Sequence, residues 1–196
     1  MAYWSRLNWF NAIPVGSQAF TCGYCGNQVA SEMGYGASGE GGGIEAKIII
    51  CHQCTRPTAI FFENNRQMPG VAFGKVVEGI KDKKLAALYE EARTATSAGA
   101  YTAAVLCCRK ILMHVAVDKG AQEGLRFVEY VDHLAAGGHI SPDSKSWVDQ
   151  IRKKGNEANH EIVLMSSEDA EDLVCFCEML LKIIYEFPAR GKSRSK

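Results

Sequence analysis

The chain has 196 residues, 47% of them hydrophobic and 22% charged, with 22 basic side chains balancing 22 acidic ones. Zero net charge excludes a strong nonspecific electrostatic grip on nucleic acid, so any such contact must come from local patches. The longest apolar runs, at Ala103–Cys108 and Leu180–Tyr185, fall far short of the roughly 20 residues a spanning helix needs, so no membrane partner is expected.

The balance is uneven along the chain. Residues 1–79 carry five acids and five bases, residues 80–188 seventeen acids and thirteen bases, and the last eight residues four bases and no acid. The local basic patches are therefore Arg152–Lys154 and a short tail at 189–196, which reads as a disordered end.

Residues 1–20 hold Tyr3, Trp4, Trp9, Phe10 and Phe20 among few charges. Aromatics of this density are expected to pack on a neighbouring surface. The stretch has no unbroken apolar core and no cleavage-site pattern, so no signal peptide is expected, and the expected compartment is the cytoplasm.

Two C-x2-C knuckles follow, Cys22-Gly-Tyr-Cys25 and Cys51-His-Gln-Cys54, the second flanked by β-rich Lys47–Ile50 and Ala59–Phe62. Each knuckle presents two thiolates on a tight turn, and in a chain without a secretion signal the pattern reads as metal before disulfide. Cys22, Cys25, Cys51 and Cys54 are thus the expected ligands of a closed tetrahedral site in a zinc ribbon, with zinc favoured over iron. Four thiolates leave no open position for water, so the metal is structural, and His52 is a bystander. Between the knuckles, Gly34-Tyr-Gly-Ala-Ser-Gly39 matches the dinucleotide-binding spacing. The fingerprint needs a preceding strand and a following helix, whereas more glycines and then a strand come next. A flexible loop between ribbon strands is expected there, and no small-molecule cofactor.

Residues 66–81 read as a linker, broken by Pro69, Gly70 and Gly74. From Lys81 the periodicity is helical. Leu85, Leu88, Tyr89 and Ala92 predict a first helix ending near Gly99, and Ala103 to Val115 a second that stops near Gly120. Phe127, Val128, Val131 and Leu134 predict a third closed by Gly137-Gly138. Ser141-Pro-Asp opens a fourth with Trp147 and Ile151 on its apolar side. Ser167 caps a fifth that runs to Pro188, with Leu173, Phe176, Cys177, Leu180, Leu181, Ile184 and Tyr185 as its buried stripe. Cys107, Cys108, Cys175 and Cys177 fall among these apolar positions and read as buried thiols acting as small hydrophobes. Arg109 and His114 flank an apolar face, with a choice left open between acids of another helix and His160.

The stretch Arg152-Lys-Lys-Gly-Asn-Glu-Ala-Asn-His160 stands apart. Read as helix, Arg152, Asn156 and His160 are four apart and share one face. Arg for an anion, Asn to orient and His with a pKa near neutrality make a small phosphate-reading set, while a solvated polar stripe accounts for the same spacing.

The run Leu88-Tyr-Glu-Glu-Ala92, Gly99-Ala-Tyr-Thr-Ala-Ala104, Arg109-Lys-Ile-Leu112, Ile151-Arg, Gly155-Asn156, His160 and Tyr185 near Pro188 resembles domain-of-unknown-function family 4145. The likeness covers roughly residues 82–188. That family is grouped with the HEPN superfamily, helical bundles that include metal-independent ribonucleases and members of prokaryotic defence systems. The resemblance implies a mainly α fold, an HEPN-like bundle of about five helices with a small N-terminal β zinc ribbon. It divides the chain into a ribbon at 1–65, a linker at 66–81, a helical domain at 82–188 and the tail. It also implies a homodimer, with an RNA or protein partner. Asn156 and His160 keep the Asn-x3-His part of the HEPN motif, whereas Gly155 stands at the usual place of its arginine. The expected function is accordingly a nucleic-acid- or protein-binding, dimerising module. The alternative is an HEPN-type endoribonuclease with His160 as acid–base and Arg152 or Lys154 stabilising the phosphate.

Overall fold

A computed structural model describes residues 7–140 and 164–194. The chain divides into two compact units, Met1–Val71 and Ala72–Lys196.

The first unit is an antiparallel meander of β1 (Ile13–Thr21), β2 (Gln28–Ser38), β3 (Ile44–Ile50), β4 (Pro57–Phe61) and β5 (Arg66–Met68), in that spatial order. An up-and-down order places alternate connections at the same end of the sheet. Both knuckles therefore lie at one end, between β1 and β2 and between β3 and β4. The glycine-rich turn after Ser38 and the turn after Phe61 lie at the other. One face buries Phe20, Val29, Ile49 and Ile60 with Cys22 and Cys51. Register links them: Phe20 pairs with Val29, and Ile49 lies between Gly34 and Thr58. So small an apolar set cannot by itself offset the ordering entropy of five strands, which leaves a deficit for a metal to supply.

This sheet overturns the expectation of a mainly α chain, an HEPN-like helical bundle of about five helices carrying only a small ribbon. Among the described residues the protein combines a five-stranded sheet with a separate helical unit. The strands missed in the sequence are β1, β2 and β5; β5 falls in the stretch read as linker, and Pro14, Gly16, Gly34 and Gly36 lower the intrinsic β preference of the other two. Pairing overrides that preference, because strand propensity reflects cross-strand neighbours more than the lone residue. The dinucleotide-like glycines are part of this. Gly34 lies inside β2, and a Cβ there would sit 1.9 Å from the Ile48 carbonyl oxygen. It permits a close strand approach, and the loop proper begins only at Gly39.

The second unit contains α1 (Lys83–Ser97), α2 (Tyr101–Asp118), α3 (Phe127–Ala136) and α4 (Ser167–Leu181). A π-helical turn (Lys182–Glu186) follows, leading into α5 (Phe187–Arg194). The expected fourth helix, from Ser141, lies outside the described residues. Asp82 caps α1 by accepting the Lys84 N–H at 2.8 Å, and Ser166 and Asp169 cap α4 reciprocally at 3.2 and 3.1 Å. The cap is thus Ser166 rather than Ser167, because only Ser166 has a carboxylate three residues on to close the box. The apolar stripes meet in one core around Ile111, Leu112, Leu134, Phe176 and Leu180. The helical rod also runs past Pro188, where the sequence predicts an end. Proline in a regular α-helix clashes with the carbonyl four residues back; the widened π turn just before it re-sets that geometry, with the Phe187 N–H reaching the Lys182 carbonyl. No helix among the described residues is long and apolar enough to cross a membrane.

Residues 72–80 form no regular element and run along this helical unit, bending at Phe73 and Gly74, with Gly74 and Gly79 in the left-handed region. Arg93 donates to the carbonyls of Phe73 (2.8 Å) and Gly74 (2.9 Å), and Tyr89 donates to that of Lys75 (3.0 Å). From the α4–α5 rod, Glu178 accepts the Lys75 N–H at 2.7 Å, and buried Glu186 accepts the Glu78 N–H at 3.0 Å. Val77 is buried in the core, with Phe73 and Ile80 packed against it.

Candidate metal centre

The two knuckles are built alike. In the first, the Cys22 N–H reaches the Asn27 carbonyl (2.9 Å) and the Gly26 N–H returns to the Cys22 carbonyl (2.8 Å). In the second, Cys51 bonds Arg56 (2.9 Å) and Thr55 returns to Cys51 (2.8 Å). Both turns close through a left-handed residue directly after the second cysteine, Gly26 at φ 70° and Thr55 at φ 57°. Glycine adopts that region freely, whereas a β-branched residue there is strained. Neighbouring groups hold Thr55 in place: its hydroxyl accepts the Leu7 N–H at 2.9 Å, and its carbonyl accepts Trp9 Nε1–H at 2.7 Å. Arg56 lies over the Tyr24 ring at 4.8 Å, tying one knuckle to the other.

The four sulfurs converge. Cys22 Sγ is 3.6 Å from Cys54 Sγ, Cys25 Sγ is 3.9 Å from Cys51 Sγ, and all four lie within 4.8 Å of one another. A disulfide would require about 2.05 Å, so these are not bridged pairs. A tetrahedron with metal–sulfur bonds of about 2.3 Å has edges of roughly 3.8 Å, and the two cross-knuckle distances fall on either side of that value. The donor set therefore fits a tetrahedral ion, and these four cysteines lie close enough to hold one. Soft thiolate donors suit zinc and also iron.

Electrostatics point the same way. Burial raises the Cys22 pKa, but the Cys25 and Tyr24 backbone N–H groups and the neighbouring thiols outweigh it, leaving the net shift downward. Burial pushes Cys51 up and Cys54 up to about 12. Without a cation, four thiolates this close cannot all ionise; a divalent ion supplies the charge that lets them. His52 is outside the set, with Nδ1 3.0 Å from the Ser31 hydroxyl. Gln67 of β5 donates to the Thr21 carbonyl at 2.8 Å, bracing the strand that leads into the first knuckle. Sequence reasoning missed this brace, and a lone glutamine carries no signal for it.

The other residues singled out in the sequence separate into groups. Arg152, Lys154, Gly155, Asn156 and His160 lie outside the described residues. Arg109 is 6% exposed, stacked 4.2 Å from the Phe127 ring centre, and its Nη1 is buried without a hydrogen-bond partner among the described residues. His114 instead faces Asp82, Nε2 to Oδ2 3.1 Å, at the start of α1. Cys108 and Cys177 are buried in the core as expected of small hydrophobes, whereas Cys175 is exposed on α4. It sits on the outward side of a helix whose inward side carries Phe176 and Cys177.

The sequence profile of the family described as Domain of unknown function (DUF4145) matches residues 90–196. No curated protein and no solved structure matches the chain.

Proposed function

The chain belongs to the DUF4145 family of domains of unknown function, and from that premise we propose that it is a non-catalytic interaction protein. In this reading Cys22, Cys25, Cys51 and Cys54 hold a structural zinc, and the sheet unit so fixed presents a surface to a protein partner. The ion contributes folding energy and charge balance for four thiolates.

One observation carries this reading: the sheet face opposite the cysteine core is apolar and exposed. Register aligns Tyr35, Ile48, Ala59 and Met68 in one row across β2 to β5, and Ala37, Ala46, Phe61 and, at its β5 edge, Arg66 in the next. Ile48, Phe61 and Met68 are exposed. A contiguous patch of this kind on a folded protein marks an interaction surface. Its apolar character and the chain's zero net charge favour a protein over a nucleic acid.

The test compares wild type with an Ile48→Glu/Phe61→Glu protein and a Glu63→Lys control in quantitative affinity capture. Metal content is measured on each. The reading expects a defined set of proteins captured by wild type and control, and lost from the double variant at unchanged metal content. An identical captured set for all three, or tight RNA binding at physiological salt, overturns it.

A further inference from the structure

The second knuckle is held shut from outside itself. Thr55, directly after Cys54, takes φ 57°, a left-handed conformation that strains a β-branched residue. Such strain persists only where neighbouring groups over-determine it. Within the knuckle, the Thr55 N–H reaches the Cys51 carbonyl at 2.8 Å, and the Thr55 hydroxyl donates to the Cys54 carbonyl at 2.8 Å. The remaining support comes from the segment just before β1. The Leu7 N–H donates to the Thr55 hydroxyl at 2.9 Å, and the Trp9 indole N–H donates to the Thr55 carbonyl at 2.7 Å. That segment is in turn anchored to β2. The Tyr35 hydroxyl donates to the Phe10 carbonyl, and the Trp9 and Tyr35 rings are tilted against each other with centres 6.5 Å apart. The first knuckle closes without strain, because Gly26 at φ 70° has no Cβ to clash.

We propose that residues 7–11 are a latch on the metal centre: while they grip Thr55 the second knuckle stays closed on the ion, and when they let go Cys54 leaves first. The inference rests on Cys22, Cys25, Cys51 and Cys54 holding an ion. With Leu7 and Trp9 withdrawn, Thr55 loses two of the hydrogen bonds that oppose its strain. Its relaxation out of the left-handed region turns the chain that carries Cys54. The Cys54 thiolate then departs, and water or an incoming ligand takes its position on the ion. Gly26 stores no such strain, so Cys22 and Cys25 keep their turn. Tyr35 gives the latch a handle on the sheet face. It stands in the apolar row with Ile48, Ala59 and Met68, so an occupant of that face meets the side chain that anchors Phe10. Metal exchange is thereby tied to the state of the face.

The test uses the metal-loaded full chain. Metal content is measured first. The protein is then treated with N-ethylmaleimide to less than one modified knuckle cysteine per chain, and peptide mapping gives the alkylation rate at each position. Exposed Cys175 serves as the internal standard for the reagent. Trp9→Phe keeps an aromatic ring and loses the N–H. It is expected to speed alkylation of Cys54 about fivefold, as the loss of one hydrogen bond implies, with release of the ion to a chelator rising by the same factor. Tyr35→Phe is expected to give the same pattern at about threefold. In both proteins Cys22 and Cys25 should react at the wild-type rate, at unchanged initial metal content. Equal acceleration at all four cysteines would overturn the proposal, because Trp9 would then brace the whole sheet rather than one knuckle. Either variant matching wild type at Cys54 would overturn it too. A wild type that carries no metal would instead refute the four-cysteine ion itself, and the content measured before labelling tells the two failures apart.

Discussion

Gly23 offers a severe test of how the metal-bearing end of the sheet is packed. It lies inside the first knuckle, and a Cβ added there would fall 2.5 Å from both the Pro69 and the Gly70 carbonyl oxygens. An ordinary carbon–oxygen contact is roughly 3.3 Å or more. Both obstacles are backbone, and Gln67 holds this stretch against β1 through the Thr21 and Pro69 carbonyls. Neither side can yield by rotating a side chain, so Gly23→Ala should cost about 3 kcal/mol, at the upper end for overpacking. Gly26→Ala is the control. Gly26 is left-handed at φ 70° with nothing within 4 Å of its added Cβ, so its cost is torsional and about 1 kcal/mol. The assay is metal release to a chromophoric chelator under conditions where the opened site recloses faster than the chelator captures the ion. Release should accelerate by on the order of a hundredfold in Gly23→Ala and about fivefold in Gly26→Ala. Equal rates, or a larger effect at Gly26, would refute the close approach of residues 69–70 to the knuckle.

Other outcomes follow from the same geometry. Cys51→Ser should abolish metal binding and unfold the sheet unit while the helical circular dichroism signal persists; a cooperative loss of both signals would contradict the division into two units. Cys51 and Cys54 are pushed upward in the metal-free protein, so both carry protons at neutral pH that an incoming ion must displace. Metal affinity should therefore rise with pH by up to about a hundredfold per unit near neutrality, and a flat competition titration would count against it. Burial works against ionisation of Glu178, but Lys182 and the Lys75 N–H outweigh it and hold its pKa below the usual carboxylate range. Its stabilisation is present above the unfolded-state pKa and is lost as pH falls through the lower folded value. Glu178→Gln should thus cost on the order of 1 kcal/mol at neutral pH and nearly nothing in strong acid, read from urea midpoints at both pH values. Finally, purified protein should leave RNA intact in the presence of a chelator. Cleavage that disappears in His160→Ala would restore the ribonuclease reading.

What the sequence makes legible here is mostly short-range. A C-x2-C knuckle is a four-residue signal, and two of them with a β-rich flank suffice to point four thiolates at one ion. Helix ends at Gly99 and Gly120 are equally local, since a left-handed glycine stops a helix on its own. The features that escape notice depend on residues distant in the chain. Strands β1 and β2 contain glycine, proline and serine, and become strands through pairing with each other and with β3. The segment 72–80 shows no periodicity, and its anchors Glu178 and Glu186 lie more than 100 residues away. The turn that carries the rod past Pro188 is likewise a response to packing on both sides of the proline. The Arg152–His160 stretch lies outside the described residues, so its shared face stands on spacing alone.

The most direct measurement is the metal content of freshly purified full-length protein, combined with X-ray absorption at the edge of whatever ion is found. The account predicts one zinc per chain surrounded by four sulfur scatterers at about 2.3 Å. Protein that folds with no metal, or an ion in which nitrogen or oxygen replaces one of the four sulfurs, would contradict it.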